Sequence, residues 1–324
     1  MKKFISIFIS VILSCSISLL YGCNSSSGDE PVYSTEFEYD TQNHWKPLLE
    51  GSSEDPEYIE FGAHKNKKGK CECGYYFPCP YLSYLPNEEG TGLICYGASD
   101  PNAYSNEELL DSEGEFSVAD VENNWLHVEV PVEAVYSGET YPVVGLSEYA
   151  FKNDPILSIK LNEGLISIGD QAFAYNANLK EIVLPDSVSV IGYSLCYFSP
   201  GIEKFTYGKN SPGCPGYSFY RCSNLKNVYF GENVSYIGVL AFYRCTSLEY
   251  LVFPQNLTRI DVSSPGLPKD SFHGPFGTVN SSAIFYMEHQ TLPSGFHYAW
   301  NPDGIRYFLK GQWEYGEDGK PKIK

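Results

Sequence analysis

Positive charge is scarce in this sequence. Its 324 residues hold 22 Lys and Arg against 40 Asp and Glu, a formal net charge of −18. A chain so acidic repels phosphate, which excludes non-specific binding of nucleic acid. Between Cys71 and Phe151 fifteen acidic residues meet no Lys or Arg at all. Solubility is the simplest account of that run. Catalytic signatures are missing too: no phosphate-binding glycine loop, no Gly-x-Ser-x-Gly, no His-Glu-x-x-His. The histidines, His44, His64, His127, His273, His289 and His297, stand in no recognisable catalytic setting. Catalysis needs a nucleophile, a base and an orienting group together. The expectation is a non-enzymatic protein that uses no cofactor.

One long apolar run is present, at the amino terminus. Lys2 and Lys3 precede Phe4 to Leu20, and Gly22 stands just before Cys23. This pattern predicts a secretory signal, residues 1–22, removed on export. The run is short and no stop-transfer pattern follows, which argues against a retained anchor. Its end, LLYGC, resembles a bacterial lipobox, where the peptidase cuts before a cysteine that carries lipid. Cys23 is the lipidation site this implies, and the membrane is then a partner through the lipid anchor. The following NSSSGDEP is a polar, flexible tether, assigned to residues 23–60. An acyl chain would hold it with about 0.8 kcal/mol per buried methylene.

Cys15 leaves with the signal and Cys23 would be acylated, so eight cysteines remain. Four belong to a region assigned to 61–125: Cys71, Cys73 and Cys79, spaced C-x-C-x5-C, and Cys95 farther on. Export places them where disulfides form. Zinc sites more often show C-x2-C pairs. Disulfide pairing is preferred, with metal and free thiols as alternatives; four cysteines allow three pairings and the sequence does not choose. The rival function is therefore a metal-binding or redox module in the Cys71–Cys95 region. DSEGEFSVADVE, residues 111–122, places acids at positions 1, 3, 5 and 12 of a would-be calcium loop. Phe116 occupies the turn position that requires glycine, so a strand is the better reading there.

The strongest signal is a period. Residues 165–187, 188–210, 211–233 and 234–256 form four blocks of 23. Ile168, Ile191 and Ile237 precede Gly169, Gly192 and Gly238. Phe173, Phe219 and Phe242 fall in register, with Cys196 in the second block. Leu179, Ile202, Leu225 and Leu248 align, as do Ile182, Phe205, Val228 and Leu251. A copy one residue shorter stands in front at 143–164. Another begins at Leu257, is interrupted by SSPGLPKDSFHGPFGTVNSS, and ends in AIFYM (283–287). So few apolar positions per block cannot close a core alone; stacked, they form one continuous core. LEYLVFP and its counterparts predict parallel strands about 4.8 Å apart. AFYRC predicts a short helical turn on the other side. In the third block Cys214 and Pro215 replace Ile-Gly, which predicts a local irregularity.

The pattern IG..AF..C..L..I.LP resembles the leucine-rich repeat of BspA-like, or Treponema-type, bacterial surface lipoproteins. The resemblance covers about residues 126–287 and implies an α/β repeat solenoid. A parallel β-sheet forms one face and short helical turns the other, with a small β-rich N-terminal region and a C-terminal cap at 288–324. It also implies export, attachment to the cell surface and adhesion to a protein or glycan partner. Cys222 and Cys245, beside Arg221 and Arg244, fall at the family's cysteine or asparagine position. A neighbouring cation can activate a thiol, but a buried ladder of small side chains is the preferred reading. The strand columns that alternate outward carry Lys160, Val183, Thr206, Tyr229 and Val252, and Ser158, Glu181, Lys204, Asn227 and Tyr250. Tyr229, Tyr250 and Val252, with Lys204, Thr206 and Val183 on the same face, are the candidate ligand-binding residues, since tyrosine is favoured in recognition.

Overall fold

The computed structural model describes residues 82–97, 127–154, 156–262, 274–301 and 303–324. It also describes the backbone of an antiparallel set of short strands, Glu38–Tyr39, Asn43–Lys46 and Ile59–Ala63. Two of these, and the start of the third, fall within the stretch read as a tether. The signal segment, Cys23, Cys71, Cys73, Cys79 and residues 111–122 lie outside the described residues.

The blocks stack in the register their period demands. Strands Glu181–Val183, Lys204–Thr206, Asn227–Tyr229, Tyr250–Phe253, Ile284–Met287 and Arg306–Phe308 form one six-stranded, all-parallel sheet in chain order. Glu181 pairs with Lys204 and Lys204 with Asn227, each step being 23 residues. The sheet continues past residue 287, because Ile284 pairs with Arg306. A second sheet begins before the blocks: Leu93–Cys95 pairs in parallel with Glu139–Leu146, followed by Ser167–Ile168 and Val190–Ile191.

That second sheet breaks at the third block, as its Cys214-Pro215 predicts. Strand pairing resumes only between Tyr236–Ile237 and Arg259–Ile260, and Cys214 makes a single bridge to Ile237. The cause is a missing donor. Gly192 donates its N–H to the Ile168 carbonyl at 2.8 Å, and Gly238 donates to Cys214 at 2.8 Å. Pro215 has no N–H with which to make the equivalent bond.

The turn side corrects the expectation of helical turns: among the described residues it holds no helix. Each block places two non-glycine residues in the left-handed region, four apart. Tyr217 and Arg221 have φ of 60° and 61°, Leu240 and Arg244 of 52° and 62°. Two such residues leave too few right-handed ones between them to propagate an α-helix. The backbone is also spent elsewhere. Tyr217, Phe219 and Arg221 donate N–H bonds to Val239, Ala241 and Tyr243 of the next coil at 2.9, 2.7 and 2.7 Å. The turns are thus hydrogen-bonded between coils much as the strands are.

Side chains complete the stack. Phe151 stacks on Phe173, and Phe219, Phe242 and Phe276 stack in sequence at 5.2 and 5.4 Å. Phe276 lies inside the stretch read as an interruption, so the sixth copy keeps its turn and its strand. Where Cys196 leaves the phenylalanine column thin, the same block carries Phe205 at the mid-strand position. Its ring meets Phe219 edge-on at 5.0 Å, and both Cys196 and Phe205 are fully buried. Volume lost at one position is regained at the other, which keeps the core close-packed. Trp300, buried against Phe253, Phe276 and Phe285, closes the column.

A row of small polar groups runs beside the phenylalanines. Asn176 Nδ2 donates to the Phe151 carbonyl at 2.8 Å, and Ser199 Oγ to Phe173 at 2.8 Å. Cys222 Sγ donates to Cys196 at 2.9 Å, and Cys245 Sγ to Phe219 at 3.1 Å. Asn, Ser and Cys therefore do one job in one column: each satisfies a buried carbonyl of the coil before it.

Candidate binding cleft

The outward face of the main sheet positions the candidate residues by alternation. Ile182, Phe205, Val228 and Leu251 point into the core, so the residues on either side of each point out. On the early strands this face is ionic. Lys204 pairs with Glu181 at 2.7 Å, and Glu203 lies between Lys180 and Lys226 at 3.0 and 2.7 Å. These two lysines, hydrogen-bonded to Glu203, hold its carboxyl below the ordinary range.

Farther along the face becomes aromatic. The Tyr229 and Tyr250 hydroxyls meet at 3.2 Å, and the Lys204 ammonium lies 5.4 Å from the Tyr229 ring centroid. Burial, then the hydrogen bond to Tyr229, pushes the Tyr250 hydroxyl well above its usual range, so it stays protonated. Tyr250 also meets Tyr286 edge-on at 6.4 Å.

These tyrosines form one wall of a cleft of about 510 Å³, within the range of small-ligand sites. Val252, Glu232 and Glu288 line it, and Tyr315 and Pro321 close the far side. The far wall belongs to a terminal hairpin, strands Trp313–Tyr315 and Pro321–Ile323, paired antiparallel. Trp313 fastens the hairpin: its indole Nε1 donates to the Met287 carbonyl at 3.0 Å and its ring packs 5.4 Å from Tyr286. Lys310 and Glu288 form an ion pair at the cleft's edge. Burial, then the nearby Glu288 charge, raises the Tyr315 hydroxyl.

Of the predicted residues, Tyr229, Tyr250 and Val252 come together in the cleft. Val183, Lys204 and Thr206 share the sheet face but do not line it. Sequence reasoning missed the hairpin wall. WEYGEDGKPKI carries the signal, two short strand-like runs around a Gly-Glu-Asp-Gly turn. A second cleft of about 580 Å³ adjoins, sharing Gln255 and Glu288 and lined by His289. Burial lowers the His289 pKa against the opposing influence of the Gln255 and Leu257 carbonyls.

The cysteines fall on the core side. Cys95 is buried on its strand within the core cluster. Cys196, Cys214, Cys222 and Cys245 are buried and unbridged. Among the described residues no group of three or more His, Cys, Asp or Glu is placed to hold a metal ion.

Comparison with known proteins bears on this geometry. The BspA type leucine rich repeat region matches residues 145–264 in six copies. No curated protein matches the sequence. Among solved structures, a leucine-rich repeat protein from Eubacterium ventriosum is 19% identical, with 62% of this chain and 50% of that chain covered and a TM-score of 0.40. This chain therefore spans half of that protein. A leucine rich cell surface protein from Faecalibacterium prausnitzii is 13% identical over 76% of this chain and 60% of that one, with a TM-score of 0.36. A leucine rich repeat protein of T. pallidum is 17% identical over 56% and 62%, with a TM-score of 0.29. The period and the in-register parallel strands agree with the family match: residues 145–264 of this chain are similar to BspA-type leucine-rich repeats.

Proposed function

We propose that this is a non-enzymatic binding protein, exported and held at the bacterial cell surface by a lipid on Cys23. It recognises a protein or glycan partner through the outward face of its repeat sheet, in the manner of a leucine-rich repeat solenoid. The observation that carries the reading is the cleft beneath the terminal hairpin, where Tyr229, Tyr250 and Val252 meet Tyr315 and Pro321. Rigid aromatic walls with a few polar groups at the rim suit recognition at low entropic cost. The export signal, the repeat class and the cell-surface description of the F. prausnitzii protein support the location. Under this proposal Cys95, buried in the core, serves packing rather than metal or redox chemistry.

Affinity capture with the full chain from its native surroundings, followed by titration of the captured partner, tests the reading. Tyr229→Ala with Tyr250→Ala is expected to weaken that partner's affinity by about tenfold or more. Unchanged affinity would remove the cleft from the function. Bound metal in the purified protein would restore the rival reading of the Cys71–Cys95 region.

A further inference from the structure

The turn side of the array carries a different surface. Tyr197, Tyr220 and Tyr243 occupy one column, one ring per coil. They stack at 5.1 and 5.2 Å with 16° between planes at each step. The next column, at the left-handed tips, holds Phe198, Arg221 and Arg244. The Arg221 guanidinium lies 4.7 Å from the Phe198 centroid and 5.8 Å from that of Tyr220; Arg244 lies 5.6 Å from Tyr243.

Among the described residues these arginines have no carboxylate partner. On the sheet side Lys160, Lys180, Lys204 and Lys226 each meet a glutamate. Arg221 and Arg244 meet none among the described residues, and Arg221 Nε is buried without a hydrogen-bond partner. The sequence enforces this. Residues 193–201, 216–224 and 239–247 contain no Asp or Glu. Over residues 152–262 nine basic residues balance nine acidic ones, so the net negative charge of the chain sits outside these coils.

The stacked rings cover one another's faces. What the strip offers a ligand is chiefly guanidinium N–H groups and ring edges, which are donors or positive in character, beside phenol oxygens that can donate or accept. The complement is a linear, oxygen-rich anion. A peptide would need pockets for its side chains, and neither cleft described above reaches this edge. A single-stranded nucleic acid would need exposed aromatic faces on which its bases stack, and here the tyrosine rings cover one another's faces. We propose that the strip formed by Tyr197, Tyr220, Tyr243, Arg221 and Arg244 binds an acidic polysaccharide of uronate type along the stacking axis. It is separate from the cleft and does not depend on it.

The test is binding of the purified full chain to polygalacturonate. Neutral dextran, poly-glutamate and a single-stranded oligonucleotide serve as comparators. The expected result is binding to polygalacturonate that weakens as salt is raised, and weaker or no binding to the three comparators. Arg221→Gln with Arg244→Gln should reduce affinity about tenfold, the loss of two charge-assisted contacts. Arg221→Lys with Arg244→Lys keeps the charge and loses the planar fork, so an intermediate affinity at an unchanged melting temperature controls for folding. Tyr229→Ala with Tyr250→Ala should leave polygalacturonate binding intact. No binding to polygalacturonate, equal binding to dextran, preference for poly-glutamate or the oligonucleotide, or indifference to both arginine pairs would each overturn the proposal.

Discussion

Cys222 and Cys245 each follow an arginine, and neither thiol feels it. The arginines lie at left-handed tips on rings of the surface, while both sulfurs point inward to carbonyls. Burial pushes the Cys222 thiol up to about 12 and Cys245 well above its usual value. A thiol reagent at neutral pH should therefore label neither residue in the native protein and both after unfolding, followed by mass spectrometry. Rapid native labelling would contradict the burial. Cys245→Ala removes one of two donors to the Phe219 carbonyl, the Cys222 N–H remaining at 3.0 Å, and should cost about 0.5–1.5 kcal/mol, whereas Cys245→Ser, which copies Ser199, should cost less; chemical denaturation reads both. Asp154 stands in the same column, one short block before Asn176. Burial pushes its carboxyl up to about 6 from an ordinary 3.8, with the Ile156 amide opposing. The folded state holds the proton more tightly, so stability falls as pH rises through that window. Asp154→Asn should raise stability at neutral pH by on the order of 1–3 kcal/mol, with the gain fading as the pH drops toward the ordinary carboxylate value. A gain independent of pH would point to another cause. The column itself was legible from the period; the direction in which adjacent side chains diverge was not, because it depends on two left-handed residues that no glycine announces.

At the scale of elements, the sequence announced strands more faithfully than turns. Isoleucine, valine and phenylalanine at fixed offsets gave strand positions and register, since only one register keeps them inside. AFYRC reads as helical by composition, yet inter-coil hydrogen bonds claim its backbone. The glycines that follow the isoleucines show how closely the coils approach. A Cβ on Gly238 would lie 2.3 Å from the Gly216 nitrogen. Gly238→Ala must push two coils apart and should cost at least about 1–3 kcal/mol, read as a lower denaturation midpoint. The terminal hairpin was the least legible part of the candidate site. Its role arises from a contact 26 residues distant, Trp313 to Met287. Trp313→Ala should cost about 3–5 kcal/mol and abolish whatever the cleft binds. Retained stability would show that the hairpin is not fastened there.

For the whole molecule, charge and period divide the labour. The described coils between 152 and 262 are electrically balanced, while the acidic excess lies elsewhere in the chain. The stacked parallel strands and the aromatic sheet face could be read from one sequence because a repeat states its environment several times over, whereas the helical turns expected of an α/β fold are absent among the described residues. The cleft and the turn-side strip could not, because both depend on which columns face one another across coils.

Strand partners between blocks lie at the same column one block apart, and most of the backbone hydrogen bonds between blocks fall within one column of that spacing. The unit of inheritance in such a protein is therefore the block and not the residue. Removing residues 211–233 would join Asn210 to Val234 with every column still in step, leaving a shorter protein of the same design. Removing half a block would set isoleucines against tyrosines along the whole seam. Unequal recombination between copies can thus lengthen or shorten this chain in one event, and descendants of different length remain foldable from birth.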